Sequence, residues 1–95
     1  MSAASDRQGP GGLLLTVAGI GLSATGVAHF VAPSLFVGIT EPVFGDRTAQ
    51  AIKINGAAET LIGAAIAVPK TRRLGFVAGG AYVAYLGANA AKARR

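Results

Sequence analysis

Glu59 and His29 are the two side chains of this sequence best equipped for chemistry. A carboxylate and an imidazole can share a proton, or hold a hydroxyl or amine of a ligand or a partner. Asn55 precedes Glu59 by four residues, so both lie on one face of any helix they share. Tyr82, Tyr85 and Asn89 recur at intervals of three and four and place two phenols and an amide along a second helix. Other chemistries are excluded directly. There is no cysteine, hence no disulfide, thiolate metal site or cysteine nucleophile. The single histidine rules out bis-histidine haem ligation and clustered imidazole metal sites. Ser23 lies inside an apolar run and is a poor nucleophile position, so no catalytic triad is expected. The expectation is no catalytic residue, no metal and no resident cofactor. A quinone head, a lipid headgroup or a small polar ligand would suit the cluster.

The elements that must carry these residues are apolar. Hydrophobic residues make up 52% of the 95 and charged residues 14%, with a mean hydropathy of +0.51. Soluble domains carry about 25% charged residues. Residues 11–32 form a run without a charge that Pro33 closes. At ~1.5 Å per residue it covers ~33 Å, enough for a hydrocarbon core of ~30 Å. A second run, about 48–68, carries Lys53 and Glu59 and stops at Pro69; a third, 74–91, stops at Lys92, Arg94 and Arg95. Residues 34–45 are apolar but short, and Gly38, Glu41 and Pro42 interrupt them. The reading is an all-α membrane protein with three transmembrane helices and a short interfacial helix between the first and second. Residues 1–9 are expected to be a disordered polar tail, and 10–95 a single helical domain passing several times through the plasma membrane.

Small residues define how such helices pack. In lipid, apolar surface gains little by leaving the acyl chains, so close backbone approach drives association. Gly12, Gly19 and Gly26 stand on one stripe of the first helix with Thr16 and Ser23. Gly56 and Gly63 share a face with Asn55 and Glu59 on the second, and Gly79 lies on the face of Tyr82 on the third. These seams can join the three helices or receive a helix of another protein. The net charge of +5 is read as topological. Arg72, Arg73, Lys92, Arg94 and Arg95 flank the runs, where they orient the chain and touch lipid headgroups. No aromatic-interleaved basic patch points to nucleic acid.

Depth arithmetic collects the polar residues in one half of the membrane. Counting inward at ~1.5 Å per residue puts Asn89 at ~3 Å, His29 at ~5 Å, Tyr85 at ~9 Å, Asn55 at ~10 Å, Tyr82 at ~14 Å and Glu59 at ~16 Å. By this count Ser23, Thr25 and the Tyr82 hydroxyl are the nearest partners of Glu59. His29 is level with Lys53, Asn55 and Tyr85, and out of reach of Glu59 unless the second helix starts later. The other half is nearly pure aliphatic residue and glycine, which excludes a through-channel.

The segment Gly26-Val27-Ala28-His29-Phe30-Val31-Ala32-Pro33-Ser34-Leu35-Phe36 resembles the DoxX-like family of small membrane proteins. So do Ile54-Asn55-Gly56-Ala57-Ala58-Glu59, Gly63, the run Pro69-Lys70-Thr71-Arg72-Arg73-Leu74, and Asn89. The resemblance spans about residues 13–90 and implies a four-helix protein whose relatives are linked to quinone-coupled thiosulfate oxidation or oxidative-stress membrane complexes. With three spans read here, it implies a partner in the place of the fourth helix. The richness in Ala, Gly, Val and Arg suits a high-GC actinobacterium. The expected function is a non-catalytic accessory subunit of a larger integral membrane complex, such as a lipid-import or respiratory assembly. It would dock through the glycine seams and the polar face. The alternatives are a quinone-linked oxidoreductase component and a homo-oligomeric protein that binds membrane lipid.

Overall fold

The computed structural model describes residues 10–94, and every regular element among them is helical. The tail over 1–9 and Arg95 fall outside the described residues. Helix α1 (Pro10–Val31) runs to the break at Pro33, followed by a 3-10 turn, Pro33–Phe36. Helix α2 (Val37–Phe44) is only eight residues long. It ends at Gly45, whose φ of 57° belongs to the left-handed side of backbone space that a residue without a Cβ enters at no steric cost. A second 3-10 turn, Gly45–Arg47, leads into α3 (Thr48–Ala67). Pro69 opens a third turn, Pro69–Thr71, before α4 (Arg72–Ala93).

The long helices lie side by side with α3 in the middle. Helix α3 packs on α1 along its length and on α4, while α1 and α4 make no extensive approach to each other. The chain measures 50 × 28 × 17 Å, the shape of a flat array rather than a round bundle. Helix axes in contact are ~8–10 Å apart, so three abreast fill the middle dimension.

Glycine sets the α1–α3 contact. A Cβ added at Gly19 would lie 2.5 Å from the backbone N of Ala67 and 2.6 Å from the carbonyl of Gly63. One at Gly56 would lie 2.5 Å from the Cβ of His29 and 2.9 Å from the carbonyl of Gly26, and Gly63 faces the backbone of Ser23 as tightly. Hydroxyls stitch the same seam: Thr16 donates to the Ala67 carbonyl (3.3 Å) and Ser23 to that of Thr60 (3.0 Å). On the other flank Gly75 meets Ile66, and Gly79 lies opposite Ile62.

The expected three spans with an interfacial helix do not match this fold. Two stretches are long and apolar enough to cross a membrane, Gly11–Val31 and Pro69–Ala93, with mean hydropathies of 1.7 and 1.2. Helix α3 falls short because Gln50, Lys53, Asn55, Glu59 and Thr60 dilute its apolar residues. Part of its surface is covered by protein: Ala51, Ile52, Asn55, Gly56, Ile62 and Gly63 are buried against the other helices, while Ile54 and Leu61 stay exposed. The 34–45 segment is no single interfacial helix. It divides into a 3-10 turn and α2, which packs on α3 and α4 and buries Thr40 and Phe44. It is a lid on one end of the array.

Only 17% and 6% of the two apolar stretches are buried, too little for core helices of a soluble protein. Leu13, Leu14 and Val17 on α1, and Leu74, Phe76 and Val77 on α4, are at least half exposed. Apolar surface on that scale needs lipid or protein cover.

The packing makes opposite demands on two glycines. Gly63→Ala forces a methyl into the α1 backbone and should cost about 1–3 kcal/mol, as core overpacking does. Gly80, with nothing within 4 Å of an added Cβ, should accept Ala with a gain of about 0.5–1 kcal/mol from helix propensity. Thermal melts of the two variants in one detergent, followed by circular dichroism, should move in opposite directions.

Candidate functional site

The lid end frames a half-open chamber, mostly apolar in lining, that several polar side chains enter. His29 from α1, Thr40 and Phe44 from α2, Asn55 and Glu59 from α3, and Tyr82 from α4 line a cavity of about 270 Å³. Each side chain is oriented from its own element. His29 is 5% exposed, and its Nδ1 lies 2.8 Å from the Thr25 carbonyl one turn back. A carbonyl oxygen only accepts, so this hydrogen bond puts the proton on Nδ1 and leaves Nε2 as the ring's acceptor in the neutral tautomer. Phe36 stacks on the imidazole at 3.7 Å between centroids and fixes its plane. Tyr82 donates its hydroxyl proton to Glu59 Oε2 at 2.5 Å.

His29 Nε2 lies 4.0 Å from the same carboxylate oxygen. That is too far for a direct hydrogen bond, yet suits one donor with two protons, such as a water or an amine, seated between them. Two hydrogen bonds of about 2.8 Å meeting at one atom span about 4–4.6 Å. Asn55 is 5% exposed, and its Oδ1 is buried with no hydrogen-bond partner among the described residues. An orphaned buried acceptor costs roughly 1–3 kcal/mol. Asn55 lines the chamber, but Oδ1 itself has almost no accessible surface, so a donor reaches it only if the side chain turns. The chamber therefore offers acceptors at Glu59 and at His29 Nε2, with the Thr40 hydroxyl and the Asn55 amide beside them, between aromatic walls.

A second cavity of about 530 Å³ adjoins this chamber and shares Glu59, Tyr82 and Leu86 with it. Its other walls are apolar: Leu22 of α1, Ile62 and Ile66 of α3, and Phe76 and Val83 of α4. Gly79 and Gly80 add no side-chain bulk to the groove left where α1 and α4 stand apart.

The sequence-predicted site residues divide accordingly. His29, Asn55, Glu59 and Tyr82 meet in the chamber. The expectation that His29 falls short of Glu59 is corrected by the glycine contact. His29 sits directly across from Gly56, one turn from Glu59, and close backbone approach brings the ring within reach. Ser23 and Thr25, the other expected partners of Glu59, instead donate to the carbonyls of Thr60 and Gly21. Tyr85 packs on Phe44 and lines a separate cleft of about 160 Å³ with Asn89, whose Nδ2 donates to the Tyr85 carbonyl. Gly12, Gly19, Gly26, Gly56 and Gly63 are buried within this chain, so the α1 and α3 seams do not face outward. Arg73, Lys92 and Arg94 are exposed.

Arg72, expected as a flanking topology charge, is buried at 7% exposure. It donates from Nε to the Ile66 carbonyl (2.6 Å) and from Nη2 to Thr16 Oγ1 (2.9 Å) and the Ala67 carbonyl (3.2 Å). Thr71 takes the Ala65 carbonyl (2.8 Å), and the Val68 amide takes that of Ala64 (3.2 Å). All four carbonyls that the last turn of α3 leaves open are thereby satisfied. Pro69 was the available signal, because a residue without N–H after a helix demands side-chain donors nearby. Phe36, Thr40 and Phe44 went unnoticed in a segment read as interfacial.

Over residues 18–95 the chain matches the family model described as a domain of unknown function, DUF8561. No curated protein and no solved structure matches it.

Tyr82→Phe removes the donor that Glu59 relies on and leaves a half-buried carboxylate short of a partner. Stability should fall by about 1–3 kcal/mol. Glu59→Gln combined with Tyr82→Phe should cost less than the sum of the single changes, read as a double-mutant cycle of melts in detergent.

Proposed function

The chain belongs to the DUF8561 family, and from its geometry we propose that it is a membrane-embedded binding protein for the hydroxylated aromatic head of a small amphiphile, a quinol by class. The observation that carries this reading is the pair of acceptors, Glu59 and His29 Nε2, at a recess whose wall also holds the buried, unpartnered Oδ1 of Asn55. Acceptors select a head that donates. A quinol presents two hydroxyl protons, whereas a quinone presents two carbonyl oxygens and would leave Asn55 Oδ1 unsatisfied. One hydroxyl, with its single proton, can donate to Glu59 or to His29 Nε2, the other can meet the Asn55 amide, and Phe44 and Tyr82 suit the ring face. The apolar groove that continues past Glu59 and Tyr82 suits the tail.

The resemblance of residues 26–36 and 54–59 to DoxX-like proteins supports the same ligand class. The protein would be integral to the plasma membrane. It would hold the head and leave electron transfer to a partner in a larger membrane complex. A second reading, an accessory subunit receiving a partner helix, is favoured by the flank of α4 that α1 leaves open.

Binding of decylubiquinol and decylubiquinone to the full chain in detergent tests the first reading. The quinol should bind about tenfold more tightly, the equivalent of one net hydrogen bond. Asn55→Leu should abolish that preference while leaving the melting temperature equal or higher, because it removes an orphaned acceptor. Glu59→Gln should weaken the quinol at least as much. Equal affinities, or a preference that survives Asn55→Leu, would reject the site. Stoichiometric recovery of a membrane partner, with no quinol in solvent extracts, would favour the second reading.

A further inference from the structure

The opposite end of the array carries a second recess, of about 610 Å³, lined by Gly12, Leu15, Pro69, Lys70, Arg72 and Arg73. Thr16 precedes His29 by thirteen residues, so the two ends are separated by ~20 Å of α1. Three cations border this recess. Among the described residues no carboxylate lies within 4.0 Å of any of them. Of the four acidic residues, Glu41 and Asp46 belong to the lid end, Glu59 to the chamber, and Asp6 lies outside the described residues.

Arg72 makes the imbalance consequential. Its guanidinium is nine-tenths buried and cannot shed its proton. Its hydrogen bonds run only to a hydroxyl and two carbonyls, and Nη1 has no partner among the described residues. Among the described residues this buried charge is held by neutral groups alone. The start of α4 adds positive potential at the same place. Its N-cap residue, Thr71, directs its hydroxyl to Ala65 and Val68 rather than to the first turn of α4, leaving that end without a side-chain cap. Leu15 gives the recess an apolar wall.

We propose that this recess binds the oxyanion of a phosphate group, with the headgroup of an anionic phospholipid as its source in the membrane. Arg72 forms the fixed floor, and Lys70 and Arg73 close on the phosphate from the rim. Exposed Leu13 and Leu14 beside Gly12 offer the acyl chains a surface. The site uses none of the chamber residues and stands or falls separately from the quinol reading.

The test is retention of phosphatidylglycerol by the full chain reconstituted in nanodiscs of phosphatidylcholine with a minor share of phosphatidylglycerol and then delipidated in mild detergent, read by mass spectrometry. Lys70→Gln with Arg73→Gln removes two rim charges and spares Arg72, which the fold needs. Lys92→Gln with Arg94→Gln removes the same charge elsewhere. Each basic residue near an anionic surface is worth roughly a fivefold change in affinity, so the rim pair should weaken retention by roughly 25-fold. The control pair should retain phosphatidylglycerol near the wild-type level. Equal loss in both pairs, or loss in neither, overturns the site. Inorganic phosphate at millimolar concentration separates the sources. Failure to displace the lipid assigns the site to the headgroup, and displacement with a higher melting temperature assigns it to free phosphate; either upholds the oxyanion site.

Discussion

The backbone contact between α1 and α3 governs the rest of the molecule. Gly19 and Gly26 face Gly63 and Gly56, and at each crossing an added Cβ would collide with main chain. The side chains of Thr60 and Phe30 also stand there, but the main chain cannot move aside. The approach brings Ser23 to the Thr60 carbonyl, Thr16 to that of Ala67, and His29 to within 4.0 Å of Glu59. Larger residues in the seam would hold the helices apart, and the chamber and the Arg72 anchor would both lose a wall. The contact also withdraws the seam from any partner, which leaves the α1–α4 groove as the open flank.

The two ends of the array treat polar groups in opposite ways. At the Pro69 end, Thr71, Arg72, Thr16 and the Val68 amide occupy the carbonyls that α3 leaves open. A membrane environment requires this, because lipid supplies no hydrogen bonds to the main chain. At the lid end, Asn55 keeps a buried acceptor without a donor, and His29 and Glu59 stand a ligand's width apart. Satisfied polar groups build a fold, and a buried unsatisfied one points to something that binds. The chamber and the basic recess share this logic with opposite sign, one rich in acceptors and the other in cations.

The flat arrangement gives both sites access from the side. Because α3 separates α1 from α4, an apolar groove runs beside the middle helix and meets the chamber at Glu59 and Tyr82. A round bundle would close that groove. The short lid, from Pro33 to Arg47, then determines how the chamber is roofed. Phe36 stacks on His29, Phe44 packs towards Tyr85, and Gly45 turns the chain into α3 with a backbone angle suited to a residue without a side chain.

Several features were legible in the residues alone. Pro33 and Pro69 mark helix ends because proline lacks an N–H and its ring clashes with the preceding turn. The spacing of Gly12, Gly19 and Gly26, and of Gly56 and Gly63, marks smooth faces, and Asn55 and Glu59 share a face by helical period. Periodicity names a face but not the surface it meets, so only the tertiary structure decided that the α1 and α3 seams face one another. Composition along a run likewise says nothing of its surroundings. The polar residues of α3 looked tolerable in a spanning helix, but Asn55, Glu59 and Thr60 turn towards other helices, Gln50 and Lys53 are exposed, and together they leave α3 short of the apolarity of a span. Counting residues inward gives depth along one helix and no lateral distance. That is why the pairing of His29 with Glu59 and the inward turn of Arg72 emerged only once α1, α3 and α4 were packed.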